Sequence, residues 1–368
     1  MLRPVRPEGS IATRRLTPAR KASLRRRLVD WYRRERRDLP WRSNRDAYRV
    51  WISEAMLQQT RVETVVDYFE RFLERFPRLE DLAAADEEEV LALWSGLGYY
   101  SRARKLRAAA RALVERHDGE FPRTREAALA LPGVGPYTAG AVLSIAYDLP
   151  EPLVDGNVRR VFCRLFGLDA PADSTALQKE LWALAESLVP RRGGAGDWNQ
   201  GLMELGATVC TPRSPRCSTC PWTRSCVARR EGRTTELPRV APRSAPTPVE
   251  ARIFVAERGG SLLLERRPRD GRLAGMWQFP TVEHRRPAGA QGHLFPTELP
   301  RHRKTPVLSP GEVVGELRHS ITRYSIRAEV VEASLMGEPP PSWSWFGEHE
   351  LEGLALTGMA RKVLRARE

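Results

Sequence analysis

The sequence predicts two domains of different class, a mainly α domain followed by an α+β domain. Three observations carry this. From Leu24 to about Cys226 nearly every segment has helical period, broken only by short Gly or Pro turns. Residues 228–248 are then rich in Pro, Arg, Ser and Thr with little apolar content, the composition of a linker. Beyond them the apolar residues fall in short strand-like runs separated by glycines. At 368 residues the chain is long enough for two ordinary cores.

Residues 1–16 mix Arg, Pro and Gly without periodicity and are expected to form a disordered basic arm. Thr17-Pro18 then resembles an N-cap with Pro at the first helical position, and Leu24, Leu28, Trp31 and Tyr32 mark one apolar face of the helix that follows. The helical domain is expected over 17–227, with breaks at Gly96-Leu97-Gly98 and Leu131-Pro132-Gly133, and the linker over 228–248. The second domain is expected over 249–368. It opens with a hairpin from Ala251–Ala256 through Gly259-Gly260 to Ser261–Glu265, has further strands over 311–317 and 325–333, and closes with a helix over 348–367.

Composition narrows the class of function. Lys and Arg number 60 against 46 Asp and Glu, a formal charge of +14, which favours a polyanionic partner, most simply nucleic acid. No apolar run approaches the ~20 residues of a membrane-spanning helix, and the Arg-studded N-terminus lacks the apolar core of a secretion signal, so an intracellular, cytoplasmic chain is expected, nucleoid-associated if bacterial. Cys210, Cys217, Cys220 and Cys226 cluster in a C-x6-C-x2-C-x5-C spacing, while Cys163 stands alone. Without a secretion signal such a cluster reads as four thiolate ligands to one centre, zinc or [4Fe–4S], rather than disulfides. Nearby arginines, among them Arg213, Arg216 and Arg224, make that loop basic.

Three motifs carry chemistry. In Leu131-Pro132-Gly133-Val134-Gly135-Pro136-Tyr137, the glycines permit a tight turn whose backbone N–H groups, with the next helix N-terminus, can cradle a phosphate; this reads as a helix-hairpin-helix. In Tyr48–Thr60, Glu54 lies beside two apolar faces, and a carboxylate so flanked is costly to ionise, as a general acid requires. The alternative is an edge residue paired with Arg49 or Arg61. Asp155 in Val154-Asp155-Gly156-Asn157-Val158 precedes a helix over 159–166 and is by default its N-cap. One protonated and one ionised carboxyl would also suit glycosidic cleavage.

These segments, SEAMLQQT, GLGYYSRARKL, LPGVGPYTAGAV, VDGNVRRV and the cysteine spacing, in that order, resemble the adenine DNA glycosylase (MutY) family over about residues 25–230. Gly271–Pro280 resembles that family's MutT-like, Nudix-fold C-terminal domain. The resemblance implies a monofunctional base-excision repair enzyme, a substrate class of duplex DNA with adenine opposite 8-oxoguanine or G, a [4Fe–4S] cluster in place of zinc, and a monomer. It gives Glu54 the role of catalytic acid, protonating adenine at N7, and Asp155 that of the anion beneath the oxocarbenium-like state, supported by Tyr137 and Asn157. Trp41, Arg42, Leu57 and Gln200 match positions around the flipped adenine. Gln58, Gln59, Tyr99 and Tyr100 match duplex-wedging segments, and Gly133, Val134 and Gly135 the backbone-binding hairpin.

The chain has Tyr137 where the similar endonuclease III family carries a lysine nucleophile, so no Schiff base is expected. A thymine mismatch glycosylase of the same superfamily and a noncatalytic DNA-binding iron–sulfur scaffold are the alternatives. Residues 281–298 hold only Glu283 and Glu298 as carboxylates, too few for a MutT-type Mg²⁺ site. Where the family reads 8-oxoguanine with a Phe-Ser-His loop, the aligned residues are Ile321, Thr322 and Arg323, which replace an imidazole with a permanent cation. His319 is the nearest histidine in another register.

Overall fold

The structure is a computed structural model that describes residues 16–241, 245–285 and 307–367. The expected basic arm therefore lies outside the described residues except for Leu16, which is buried. The chain divides into two units. The first runs to Ala84 and resumes at Lys105; the second joins Ala85–Arg104 to the chain from Arg243 onward.

The first unit is helical. Its helices are α1 Pro18–Glu35, α2 Ala47–Leu57, α3 Val62–Arg75 and α4 Leu79–Ala84, with a 3-10 turn at Pro40–Arg42. In the second unit α5 covers Glu87–Leu93, and α6, Ser101–Arg116, starts there and continues in the first. The remaining helices of the first unit are α7 Arg125–Leu129, α8 Pro136–Tyr147, α9 Gly156–Phe166, α10 Thr175–Leu188, α11 Ala195–Thr208 and α12 Val227–Arg230. Thr17 caps α1 as its sequence predicts, its hydroxyl accepting from the Arg20 N–H, and Leu24, Leu28, Trp31 and Tyr32 are the buried face. Helix α11 is central, packing against α1, α8 and α9. Close approach there depends on glycine: a Cβ on Gly206 would sit 2.5 Å from the Asn157 Cβ.

The second unit is built on two sheets. Strands β1 Thr247–Val255, β2 Glu257–Arg258, β3 Ser261–Arg266, β4 Trp277–Gln278, β5 Thr281–Arg285, β6 Val307–Ile321, β7 Tyr324–Met336 and β8 Trp343–Gly347 are followed by the short helices α13 Glu348–Leu351 and α14 Gly358–Arg365. One sheet has the order β5-β1-β7-β6, with β1 and β7 parallel; the other has β2-β3-β4 with β8 paired to β3. Val249, Ile253, Leu264 and Phe279 form a core with Met359 and Val363 of α14. Residues Glu88 and Ser95 belong to this unit by bonding as well as position: the Trp277 indole N–H and Arg266 donate to Glu88, the Ser95 hydroxyl donates to the Leu356 carbonyl, and Arg361 donates to Ser95.

Four expectations change. The helical domain is interrupted, because Ala85–Arg104 falls in the second unit. Much of the expected linker is folded: α12 occupies 227–230, Leu237 is buried, and Arg233 and Arg239 both pair with Asp169. Composition missed this because the chain is pinned by ion pairs and one apolar side chain, with no periodic face. The opening hairpin splits, since β1 joins the first sheet while β2 and β3 form the hairpin about Gly259-Gly260 in the other. The closing helix is two helices separated by residues 352–357, where the Thr357 N–H bonds to the Trp277 carbonyl and the Thr357 hydroxyl caps α14.

Candidate active site

Glu54 sits on α2, whose N-cap is Asp46 and whose residues from Tyr48 to Met56 are nearly all buried. It is only 5% exposed, which excludes an edge residue paired in solvent with Arg49 or Arg61. The Tyr137 hydroxyl, from the first turn of α8, donates to Glu54 Oε2 and stands 3.3 Å from the Met203 sulfur. Burial pushes the Glu54 carboxyl up to about 7; the Tyr137 bond opposes this, the Asp155 charge adds to it and Arg42 opposes it. The same burial raises the Tyr137 phenol well above its usual range, so it is a donor at any working pH.

Asp155 is the N-cap of α9, as the sequence suggests, but the helix starts at Gly156 rather than 159. Its Oδ1 accepts from the Val158 N–H at 2.7 Å and its Oδ2 from the Asn157 amide at 2.9 Å. Burial raises its carboxyl too, against the pull of those donors and of Arg160. Asn157 is itself held by Arg160, which bonds to Asn157 Oδ1 at 2.7 Å and to the Gly206 and Cys210 carbonyls. The cap and catalytic readings of Asp155 are thus compatible: the cap donors are a ready-made anion shell.

Both carboxyls border one cavity of about 170 Å³ between α2, α8, α9 and α11. Trp41, Arg42, Leu57 and Gln200, the four residues matched to an adenine pocket, all line it, as do Tyr137 and Asn157. The sequence reading missed Arg37 and Glu204 on the same wall. Glu204 lies one turn beyond Gln200 on α11, so its spacing put it on that face, but its partners are distant in sequence.

The proposed DNA-facing residues separate by exposure. Tyr99 is 43% exposed with φ +50°, whereas Tyr100 is buried and its hydroxyl accepts from the Gly96 N–H. Gln58 and Gln59 lie in the turn after α2, Gln58 3.4 Å from the Thr138 hydroxyl and Gln59 at φ +61°. In the hairpin before α8, Gly133 has φ +77° and Gly135 is the N-cap, while the Val134 side chain is buried, leaving backbone rather than a side chain at the surface. Ile321, Thr322 and Arg323 form the tip of the β6–β7 hairpin: Ile321 pairs with Tyr324, and exposed Thr322 and Arg323 make the turn. His319 stands lower in β6 opposite Ile326 and is half-buried. Glu283 pairs with Arg272; Glu298 lies outside the described residues.

Cys210, Cys217, Cys220 and Cys226 are half-buried free thiols that line a single cavity. Among the described residues no three His, Cys, Asp or Glu side chains are drawn close enough to hold a metal ion. Arg164 organises the loop, donating to the Thr211, Pro212 and Leu237 carbonyls, and Cys226 donates to the Arg164 carbonyl. No helix among the described residues is long and apolar enough to cross a membrane.

Residues 52–187 match the family described as HhH-GPD superfamily base excision DNA repair protein, and residues 252–366 match the NUDIX domain family. The chain is 39% identical over 405 residues to an adenine DNA glycosylase of Rattus norvegicus, an alignment covering 94% of this chain and 78% of that one. Against the adenine DNA glycosylase of Homo sapiens the identity is 37% over 407 residues, covering 94% and 74%. A solved thermostable thymine-DNA glycosylase superposes with a TM-score of 0.51 at 33% identity, covering 57% of this chain and 97% of that chain. Only the first two alignments are long enough to span both matched families, and on them the chain belongs to the adenine DNA glycosylase family.

Proposed function

We propose that this chain removes adenine from duplex DNA in which it stands opposite 8-oxoguanine or G, as a monofunctional glycosylase of base excision repair. The observation that carries the reading is Glu54: a buried carboxyl, raised to about 7, on the wall of a base-sized cavity that it shares with Asp155. At neutral pH a substantial fraction of Glu54 is protonated, so it can deliver a proton to the leaving adenine, at N7 by family resemblance. Asp155, held as an anion acceptor by Val158 and Asn157, offsets the positive charge that develops on the sugar. No amine takes part, since Tyr137 occupies the position of a lysine nucleophile and its phenol is held to Glu54.

A buried acid cannot reach a stacked base, so the adenine must leave the helix, at a cost of a few kcal/mol that is least at a mispair. Exposed Tyr99 is suited to fill the gap, and Gly133 and Gly135 to hold phosphate through backbone N–H groups. The β6–β7 tip, Ile321, Thr322 and Arg323, is the proposed reader of the base opposite adenine.

Cys210, Cys217, Cys220 and Cys226 are proposed to hold a [4Fe–4S] cluster, supported by their common cavity and by four soft thiol donors with no disulfide among them. Such a group would brace the loop that Arg164 orders. Purified protein is expected to be yellow-brown, with iron and sulfide in equal amounts; a colourless protein carrying stoichiometric zinc would replace this assignment.

The deciding experiment is single-turnover base release from duplexes with adenine opposite 8-oxoguanine, G or T, and with T opposite G, using native protein and Glu54→Gln. Release of adenine alone, fastest opposite 8-oxoguanine and reduced by at least about a hundredfold in the variant, is expected. Release of thymine from T opposite G would favour the thymine mismatch reading. Duplex binding with no release from any substrate would favour a scaffold.

A further inference from the structure

The strongest electrostatic arrangement near the cavity belongs to a residue with no assigned role. Glu204, on α11, is buried with 1% of its side chain exposed, yet it pairs with two arginines. Its Oε1 accepts from the Arg37 Nε at 2.8 Å and from the Arg37 backbone N–H at 3.1 Å. Its Oε2 accepts from Arg37 Nη2 at 3.1 Å and from Arg42 Nη2 at 2.8 Å. Burial alone would push this carboxyl up; the Arg37 and Arg42 bonds outweigh it and hold it down to about 2.

Arg42 is the link to the acid. It lines the same cavity as Glu54, and its charge opposes protonation of Glu54. Both terminal nitrogens are committed elsewhere, Nη2 to Glu204 and Nη1 to the Arg37 carbonyl at 3.0 Å, while the guanidinium lies 5.6 Å from the Tyr32 ring centroid. A bidentate Arg–carboxylate pair on Glu54 would fix that group as an anion and abolish an acid.

We infer that Glu204 is a positioning residue for the acid: by binding Arg42 and Arg37 it keeps the Arg42 cation at the cavity wall, half-neutralised and turned away from Glu54. The inference rests on the proposed role of Glu54 as proton donor. The other groups that act on Glu54 come from the elements around it: Tyr137 of α8, through its hydroxyl, and Asp155 at the cap of α9, through its charge. Neither contacts Glu204 or changes in the test below.

The sign of the effect is fixed. Removing the Glu204 charge leaves Arg42 and Arg37 uncompensated, which favours the Glu54 anion. Removing Arg37 instead leaves Glu204 to neutralise Arg42 more completely, which favours the protonated acid. Single-turnover adenine release across a pH series reads both. Native protein is expected to lose activity as pH rises through about 7, following Glu54. With Glu204→Gln that alkaline limb should move down by about one pH unit, and the neutral-pH rate should fall roughly fivefold. With Arg37→Met it should move up, and Glu204→Asp should return the limb towards the native position.

A merely structural Glu204 would lower the rate equally at every pH without moving the limb, and that result overturns the inference. So would limbs that move in the same direction in the two charge variants. Should Glu204→Gln fail to fold, Arg37→Met decides alone, because the Arg37 side chain is 34% exposed and its loss leaves Glu204 still paired with Arg42: an upward shift supports the inference and an unmoved limb rejects it. Native protein that releases no adenine would reject the parent reading as well, a result distinct from an unmoved limb.

Discussion

A tyrosine hydroxyl opposes the acid it touches. The Tyr137 bond stabilises the charged form of Glu54, against the burial that raises its carboxyl to about 7. Tyr137→Phe is therefore expected to let that carboxyl rise further, so that the alkaline limb of adenine release moves to higher pH while the maximal rate falls with the loss of positioning. A limb that stays in place or moves down would show that the bond does not act on Glu54. Glu54 itself was legible from sequence because its apolar neighbours and its motif lie within a dozen residues. Glu204 was not: its guanidinium partners are 167 and 162 residues away, and only the fold brings them to one wall.

The helices translate these residue effects into fixed distances. Asp155 and Asn157 open α9, and α9 lies so close to α11 that Gly206 has no room for a side chain: a Cβ would meet Asn157 Cβ at 2.5 Å and its Cα at 3.0 Å. Gly206→Ala is expected to cost about 1–3 kcal/mol in stability, through overpacking against backbone. Because the group displaced is the one that donates to Asp155, adenine release should fall while duplex affinity is kept. Equal losses of release and binding would point to general unfolding, which thermal denaturation would show directly. Helix positions were legible from periodicity, cap residues included, but this approach of two helices was not, since glycine in a helix is silent about what it faces. The strands were less legible: β6 and β7 run over 15 and 13 residues where the pattern suggested only 311–317 and 325–333, because alternation fades on strands whose outer positions face solvent.

At the scale of the molecule, a formal charge of +14 sets the conditions under which all of this operates. Duplex binding is expected to weaken by roughly a hundredfold or more between low and moderate salt, as phosphate contacts release counterions. A flat response would be inconsistent with a backbone-binding hairpin and a basic surface. A helical unit followed by an α+β unit was legible; the inclusion of Ala85–Arg104 in the second unit was not, because its cause is tertiary bonding and not local pattern. That inclusion bears on the order in which the chain can fold as it is synthesised. The acceptor of the Ser95 hydroxyl, the Leu356 carbonyl, is made 261 residues later, and the Trp277 that binds Glu88 follows it by 189. The helices that surround Glu54 can assemble from sequence finished by residue 208, but the turn that carries Tyr99 gains these anchors only after residue 356 has been made. A chain that stopped between residues 208 and 277 would thus carry the helices around Glu54 and leave the turn of Tyr99 without these anchors.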